Sequence, residues 1–249
     1  MNASPPVTPV PSATLVLLRD GPDGLEVLMM VRHRDSGFAA GALVFPGGRI
    51  DGGDHELAAR WAGDLPAGPA RLTAIRETWE ECGILLARRR AATSLLARAD
   101  VAALPAGANV MTLPEIEPAA DALVPFAHWI TPAIRPKRFD AMFFLAPFSG
   151  DQQPRHDGRE AVSVRWVRPA DAVAECDRGT VKLVFVTRMN LLKLARAGDM
   201  AAAFALARHR PIVTVTPRLV QTEQGKFMRI PAEADYGVTD VPIEQVQAG

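Results

Sequence analysis

Residues 71–84 read RLTAIRETWEECGI, a stretch that places an arginine and three glutamates in the middle of an otherwise apolar segment. Pro69 suits the first turn of a helix and Gly83 suits the position just after its end, so the spacing predicts a helix over 69–82. At about 100° per residue, three acidic side chains share one face of this helix: Glu77, Glu80 and Glu81. The opposite face is apolar and carries Leu72, Ile75, Trp79 and Cys82.

The carboxylate face allows two interpretations. A solvated surface helix is the simpler one, because most charged helix faces are of that kind. Exposed like charges three and four residues apart, however, repel by roughly 0.2–0.5 kcal/mol. A hard cation such as Mg²⁺ removes that repulsion, since it binds carboxylate and polyphosphate oxygens together. With glycines upstream, the cluster indicates metal-assisted phosphoryl chemistry.

The composition is that of a folded protein without a strong overall charge. The chain has 249 residues, 48% of them hydrophobic, and 28 basic residues balance 28 acidic ones. This length allows one or two domains, and the zero net charge argues against nucleic acid or an anionic membrane as a partner. No apolar run approaches the ~18–20 residues that a membrane span needs. Two cysteines, Cys82 and Cys176, predict neither a disulfide framework nor a zinc site and favour the cytoplasm.

Strand-like runs lie on both sides of the predicted helix. SATLVLL (12–18) and LEVLMMVR (25–32) flank a turn rich in Gly and Asp and predict a hairpin. ALVF (42–45) then leads into the glycine-rich loop PGGRIDGGD. Further strands are predicted at 83–87, 126–130, 138–148, 160–167 and 211–219. Further helices are predicted at 54–63, 91–104, 115–123, 169–176, 180–198 and 199–210. This order indicates an α+β or α/β sandwich.

Two separated segments together resemble the box of the Nudix hydrolase superfamily. In that box a glycine loop precedes an arginine, a glutamate, a paired glutamate and a closing glycine, and here PGG (46–48) precedes RETWEECGI (76–84). The box is usually continuous, whereas about fourteen extra residues separate the glycines from the arginine in this chain. Another acidic residue takes the place of the glutamate that the box usually carries shortly after the glycines. Asp54 fits that position best, with Asp51 and Glu56 as alternatives.

Most of the chain is similar to the coenzyme A diphosphatase branch of this superfamily, typified by the mammalian peroxisomal enzyme. The similar segments are VRHRDSGFAAGALVFPGGRIDGGD (31–54), WITP (129–132) and RFDAMFF (138–144). The coenzyme A pattern is kept at Arg32 and Gly41, while Gly37 stands in place of its second arginine.

The resemblance implies an α+β Nudix fold, in which a mixed β-sheet is sandwiched between helices. Residues 1–11 would form a flexible Pro-rich arm and residues 12–178 the Nudix core. The insertion at 49–68 is too short for a core of its own, so we expect a local cap. Residues 179–249 would form a C-terminal helical extension packed on the core.

The resemblance also implies a site for Mg²⁺ or Mn²⁺. Its ligands would be Glu77, Glu80 and Glu81, completed by the backbone carbonyl of Gly48 or, alternatively, Gly47. Arg76 would orient a glutamate rather than contact the metal. The general base would be a box glutamate or Glu160, for which a surface acid at a strand edge is the alternative interpretation.

The implied substrate contacts are Arg32, Phe45, Gly47 and Gly48. Arg32 would neutralise phosphate charge. Phe38, Phe45 and Trp129 would either stack on the substrate or belong to the core.

The implied reaction is hydrolysis of a nucleoside diphosphate linked to another group, with coenzyme A or an acyl derivative favoured. NADH, ADP-ribose or a nucleotide sugar is the alternative substrate. A Nudix-fold sensor that binds a nucleotide without cleaving it is the alternative from another class. A homodimer is common among relatives and is compatible with this sequence.

Overall fold

The computed structural model of the chain describes residues 7–35, 39–105, 109–148 and 150–247. The described residues form the following helices: α1 (Gly52–Trp61), α2 (Gly68–Cys82), α3 (Arg98–Ala102), α4 (Pro169–Asp177), α5 (Phe185–Leu194), α6 (Met200–Arg208) and α7 (Ile243–Gln247). They form the following strands: β1 (Val10–Gly21), β2 (Gly24–Arg32), β3 (Leu43–Val44), β4 (Gly47–Arg49), β5 (Ala87–Arg89), β6 (Ile116–Pro118), β7 (Val124–Ile130), β8 (Phe139–Pro147), β9 (Ala161–Val167), β10 (Thr214–Val215), β11 (Arg218–Thr222), β12 (Gly225–Arg229) and β13 (Asp240–Pro242).

The predicted hairpin forms the middle of the main sheet. Strands β1 and β2 pair antiparallel, with Leu18 opposite Val27 and Gly21 opposite Gly24. The order across the sheet is β10-β7-β8-β1-β2-β3, with β4 paired to β1 and β9 paired to β2. The pairs β1–β8 and β7–β10 are parallel and the others are antiparallel, so the predicted mixed sheet is confirmed.

Both faces of this sheet are covered, as the alternation of side chains along β1 shows. Leu15 and Leu17 belong to one buried cluster, which also contains apolar residues of α2. Val16 and Leu18 belong to a second buried cluster, which contains residues of α4, α5 and α6. Because successive strand residues point to opposite faces, one strand serves two cores. The predicted α+β Nudix fold, with a sheet between helices, is confirmed.

Helix α2 begins one residue before the predicted position and ends as predicted. Gly83 has φ 67° and donates its backbone N–H to the carbonyl of Trp79, as a glycine that closes a helix does. The predicted apolar face is buried, with Leu72 and Cys82 fully shielded from solvent. The hydroxyl of buried Thr78 donates to the carbonyl of Ala74 at 2.7 Å, which satisfies this polar group inside the core.

The insertion forms a helical cap on α2, as expected. Its helix α1 starts with a reciprocal capping box between Asp51 and Asp54. The two helices approach closely at Gly68, where an added Cβ would lie 3.0 Å from the Cβ of Ala62 and 3.3 Å from that of Ala58.

Three expectations need correction around this core. The run 83–86 is buried but forms no strand, because the Gln152 side chain takes both backbone groups of Leu85. Only Arg98–Ala102 of the predicted 91–104 helix is helical, and 115–123 contains β6 instead. Pairing of Ile116–Pro118 with β5 outweighs the helix propensity of the second stretch.

The tail is helical in its first part and again in the short helix α7 at its end. Helices α5 and α6 agree with the prediction, but the extension then turns to β-structure: β10 joins the main sheet and β11, β12 and β13 form a separate antiparallel sheet. The predicted strand 211–219 is divided because Pro217 cannot donate to a ladder. At the other end, residues 1–6 of the predicted arm lie outside the described residues. Strand β1 already begins at Val10, which is paired with Phe139.

Arg71 fixes helix α2 to the chain that follows β6. It is 5% exposed, and its guanidinium donates to the carbonyls of Pro66 at 2.9 Å, Ala120 at 2.9 Å and Leu123 at 2.5 Å. A buried arginine that serves three carbonyls leaves all three unsatisfied when it is removed.

We therefore predict that Arg71→Met lowers the free energy of unfolding by about 3 kcal/mol, because buried carbonyls lose a charged donor. Urea unfolding followed by circular dichroism measures this. The exposed Arg90 gives the matched control, and Arg90→Met should stay within about 0.5 kcal/mol of the wild type. Equal effects of the two variants would contradict the assigned role.

Candidate active site

Two glycines of β4 let the carboxylate face of α2 lie against the main sheet. Gly47 pairs with Thr14, and an added Cβ would lie 2.5 Å from the carbonyl oxygen of Ala13. At Gly48 an added Cβ would lie 2.0 Å from Oε1 of Glu77. At Gly47 the backbone of Ala13 and Thr14 leaves no room for a Cβ, whereas at Gly48 a Cβ would displace only the Glu77 side chain.

Arg76 is the centre of a charged network. Its Nε and Nη2 donate to the two oxygens of Asp54 at 2.9 and 2.8 Å. Its Nη1 donates to Glu77 at 2.9 Å and to Glu80 at 3.0 Å. The hydrogen bonds to Asp54 raise the pKa of Arg76, with the charges of Glu77 and Glu80 adding to the effect. Arg76 thus holds two box glutamates from one side, as an organising residue would.

Asp54 is the acid that pairs with this arginine. Its carboxylate has no exposed surface and also accepts the Thr73 hydroxyl at 2.8 Å and the Asp51 backbone N–H at 3.1 Å. Burial raises the pKa of Asp54, but the bonds from Arg76, Asp51 and Thr73 outweigh it and the pKa is lowered. The alternatives Asp51 and Glu56 are exposed.

Glu81 is the most deeply placed of the three box glutamates. It is 3% exposed, and one oxygen accepts the backbone N–H of Gly47 at 2.9 Å. Burial raises its pKa to about 8, and the negative charges of Glu77 and Glu160 add to the shift. Burial also raises the pKa of Glu77, although Arg76 opposes it. Both carboxyl groups, Glu77 and Glu81, therefore hold a proton more tightly than an exposed glutamate does.

Arg32 and Glu160 close the other side of the group. Arg32, at the end of β2, places its Nη1 3.8 Å from Glu81 and its Nη2 3.6 Å from Glu160. Both distances exceed those of hydrogen bonds. Its Nε is buried and has no hydrogen-bond partner among the described residues. Glu160 directly precedes β9, and its side chain is 61% exposed.

The structure therefore brings together most of the residues that the sequence singled out. They are Arg32, Gly47, Gly48, Arg76, Glu77, Glu80, Glu81 and Glu160. Phe45 is the exception and needs correction, because it is 5% exposed and belongs to the buried cluster with the C-terminal helices. Trp129 is buried in the same cluster, while Phe38 and Gly37 lie outside the described residues.

A cleft of about 700 Å³ opens beside this group, between α1 and the short 3₁₀ turn Val110–Thr112. It is lined by Asp51, Gly53, Asp54, Glu56, Leu57, Arg60, Arg76, Glu80, Asn109 and Thr112. The cleft has the size of a small-molecule site, and the insertion provides one of its walls.

The comparison with known families agrees with this geometry. A family model described as the NUDT19 Nudix domain matches residues 62–189, about half of the chain. The chain belongs to this Nudix hydrolase family. The match begins after α1 and includes the whole of α2, so it covers Arg76 and the three glutamates.

Relatives of this Nudix chain are distant in sequence. The putative nudix hydrolase 7 of Caenorhabditis elegans is 29% identical over 180 residues, which are 70% of this chain and 57% of the relative. The acyl-coenzyme A diphosphatase NUDT19 of Xenopus laevis is 26% identical in a gapped alignment of 210 positions, which covers 60% of this chain and 54% of the relative. The chain thus spans little more than half the length of these relatives.

A solved structure supports the fold of the Nudix chain. The crystal structure of a NUDIX hydrolase from Alicyclobacillus acidocaldarius superimposes with a TM-score of 0.67 at 28% identity. The superposition covers 82% of this chain and 99% of that one. Within the described residues, no helix has the length and apolarity to span a membrane.

The residues of the Nudix box fit a divalent cation in their chemistry but not in their present arrangement. Carboxylate oxygens are the donors that Mg²⁺ or Mn²⁺ prefers, and the box supplies three glutamates on one helix face. Yet no three His, Cys, Asp or Glu side chains of the described part of the chain are grouped so as to hold a metal ion. The glutamate oxygens bond instead to Arg76 and to the Gly47 backbone. Metal binding therefore requires some of these contacts to be exchanged.

We predict that alanine at Gly47 mainly lowers stability, whereas alanine at Gly48 mainly weakens metal binding. Gly47→Ala should lower the free energy of unfolding by about 3 kcal/mol, because the added methyl meets backbone atoms. Gly48→Ala should cost less than about 1 kcal/mol, because the Glu77 carboxylate lies at the end of a flexible side chain and can move. That displacement should weaken Mn²⁺ binding by about 10-fold. Thermal unfolding and calorimetric titration measure the two effects, and unchanged Mn²⁺ affinity in Gly48→Ala would contradict the second.

We also predict that the metal-free protein loses stability as the pH rises from 4.5, the ordinary pKa of glutamate, to about 8. The pKa of Glu81 is higher in the folded state than in the unfolded one, so its contribution is complete below this window and lost above it. Glu81→Gln should reduce that loss. Urea unfolding across this range in EDTA measures it. Glu115→Gln, the same change at an exposed position, should decline like the wild type, and an identical decline in Glu81→Gln would contradict the prediction.

Proposed function

We propose that this Nudix protein hydrolyses the diphosphate bond of a nucleoside diphosphate linked to another group, with coenzyme A or acyl-coenzyme A as the favoured substrate. One observation carries the proposal. Burial raises the pKa of Glu77 and Glu81, and Arg32, 3.8 Å from Glu81, has a buried Nε with no partner among the described residues. A diphosphate that carries divalent cations would bring positive charge to the glutamates and acceptor oxygens to Arg32. The relative from Xenopus laevis is named for the coenzyme A reaction.

Glu77, Glu80 and Glu81, with the carbonyl of Gly48, would hold Mg²⁺ or Mn²⁺. When bound, the metal neutralises charge on the phosphate oxygens and makes a bound water more acidic. Arg76 keeps Glu77 and Glu80 on the correct side of α2 through its bond to Asp54. Asp54 would keep Arg76 in place while the glutamates exchange their present contacts for the metal, which limits the reorganisation that binding requires.

Arg32 and Glu160 supply the remaining functions. The guanidinium of Arg32 would donate to a non-bridging phosphate oxygen, a charge-assisted bond that planar arginine makes well. Glu160 would take a proton from the attacking water as general base, since it faces the group and stays open to solvent. Water then attacks one phosphorus and the other phosphate leaves with the bridging oxygen.

The favoured location is the cytoplasm, supported by two cysteines that are both free. The homodimer stays a prediction that size measurement in solution can test.

The proposal predicts turnover of at least one diphosphate. Purified protein is incubated with coenzyme A, NADH and ADP-ribose, each with Mg²⁺ or Mn²⁺, and the products are separated by chromatography. Coenzyme A should be cleaved fastest. Glu81→Gln should lower kcat by about 1,000-fold, because metal charge and water activation are lost together, while the control Glu115→Gln should be unchanged.

The outcomes separate the alternatives. Faster cleavage of NADH or ADP-ribose than of coenzyme A would contradict the proposed substrate but support the proposed reaction. Binding of a nucleotide without turnover, with either metal, would favour a sensor and contradict the enzyme. Unchanged kcat in Glu81→Gln would contradict the ligand assignment.

A further inference from the structure

The loop before β9 is held by one buried side chain. Residues 150–160 contain no helix or strand, and all but two of them are exposed. Gln152 is the buried one, at 7% exposure. No sequence pattern marks Gln152, because a single polar residue in a polar loop has no periodicity.

The carboxamide of Gln152 is fully used by the chain that leaves the box helix. Its Oε1 accepts the backbone N–H of Leu85 at 2.9 Å. Its Nε2 donates to the carbonyls of Leu85 at 3.1 Å and Leu96 at 2.9 Å. Leu85 and Leu96 are themselves buried, so these bonds are shielded from water. One side chain thus ties the loop to the segment three residues beyond α2.

A second contact ties the loop to the end of α2 itself. The backbone N–H of Arg155 donates to the carbonyl of Cys82 at 2.8 Å. Cys82 is the last residue of α2, where a carbonyl lacks a partner within the helix. The loop therefore moves with the helix that carries the three glutamates.

The far end of the loop fixes the backbone of Glu160. Asp157 accepts the backbone N–H groups of Arg159, Glu160 and Ala161. The carbonyl of Glu160 accepts the N–H of His33 at 2.8 Å, next to Arg32. The loop is thus held by hydrogen bonds at Gln152, Arg155 and Asp157, and it ends at Glu160.

We propose that Gln152 is a positioning residue for Glu160. By tying the loop to the chain after α2, its carboxamide sets where the Glu160 carboxylate stands relative to Glu77 and Glu81. The inference rests on the proposed function, in which Glu160 is the general base. A general base acts only within hydrogen-bond reach of the proton that it takes, so displacement of the loop acts on the rate.

The test is a double-mutant cycle with a matched control. Gln152→Met keeps the length of the side chain and removes its hydrogen bonds, and Gln153→Met makes the same change at the exposed neighbour. Gln152→Met should lower kcat by about 30-fold with little change in KM. Gln153→Met should stay within about 2-fold. In a Glu160→Gln background, Gln152→Met should lower kcat by less than about 2-fold further, because the base that it positions is already absent.

A readout independent of turnover accompanies the kinetics. Amide hydrogen exchange at Glu160 and Ala161 should be faster in Gln152→Met than in Gln153→Met, because the loop is loosened. Should Gln152→Met fail to fold, Asp157→Ala loosens the same loop from its exposed end and must show the same dependence on Glu160.

Two results would overturn the inference. One is that the effects of Gln152→Met and Glu160→Gln on kcat multiply, which indicates a merely structural glutamine. The other is that Glu160→Gln alone leaves kcat unchanged, so that there is no base to position. Both leave the proposed hydrolysis intact, whereas absence of any turnover by the wild type overturns the proposed function itself.

Discussion

Arg76 donates two parallel hydrogen bonds to the buried carboxylate of Asp54 and uses a third nitrogen for Glu77 and Glu80. A bidentate pair fixes the plane of the guanidinium, which a single contact does not. Because Asp54 lies on α1 and the other three residues lie on α2, the pair joins the insertion to the helix that carries the box glutamates. Glu77 and Glu80 are therefore held by an arginine whose orientation depends on a residue of the insertion.

This contact also explains how the box accepts an insertion. Arg76 needs a carboxylate that accepts hydrogen bonds from its Nε and Nη2, and Asp54 supplies that carboxylate from the first turn of α1. Most residues of the insertion follow Asp54, so they lengthen the path to α2 without moving the carboxylate. Lengthening a connection has a small entropic cost, about 0.6 kcal/mol for each doubling. The capping box between Asp51 and Asp54 then fixes the start of the inserted helix.

The sequence predicted features that depend on neighbouring residues, such as the faces of α2. It did not predict features that depend on a partner distant in the chain. The faces of α2 follow from helix periodicity, so its glutamates and Leu72 were assigned correctly to opposite sides. Phe45 was misassigned because a strand covered on both faces carries apolar residues on each, and alternation does not say which face meets the site. The strand predicted for 83–87 failed because the hydrogen-bond partner of Leu85 is the side chain of Gln152 rather than a strand. Asp54 was one of three acids until burial distinguished it, and burial is a tertiary property.

The site contains a buried glutamate and a buried arginine nitrogen whose interactions are not completed by the neighbouring described residues. Glu81 is buried, and burial raises its pKa because the charged carboxylate has lost its contact with water. Arg32 lies 3.8 Å from it, too far for a hydrogen bond, and keeps a buried Nε without a partner among the described residues. Closer approach of the two would resolve both, yet the Gly47 N–H already holds one oxygen of Glu81. A ligand that brings cations to the glutamate and oxygens to the arginine satisfies both at once, and a diphosphate carrying divalent metal is such a ligand.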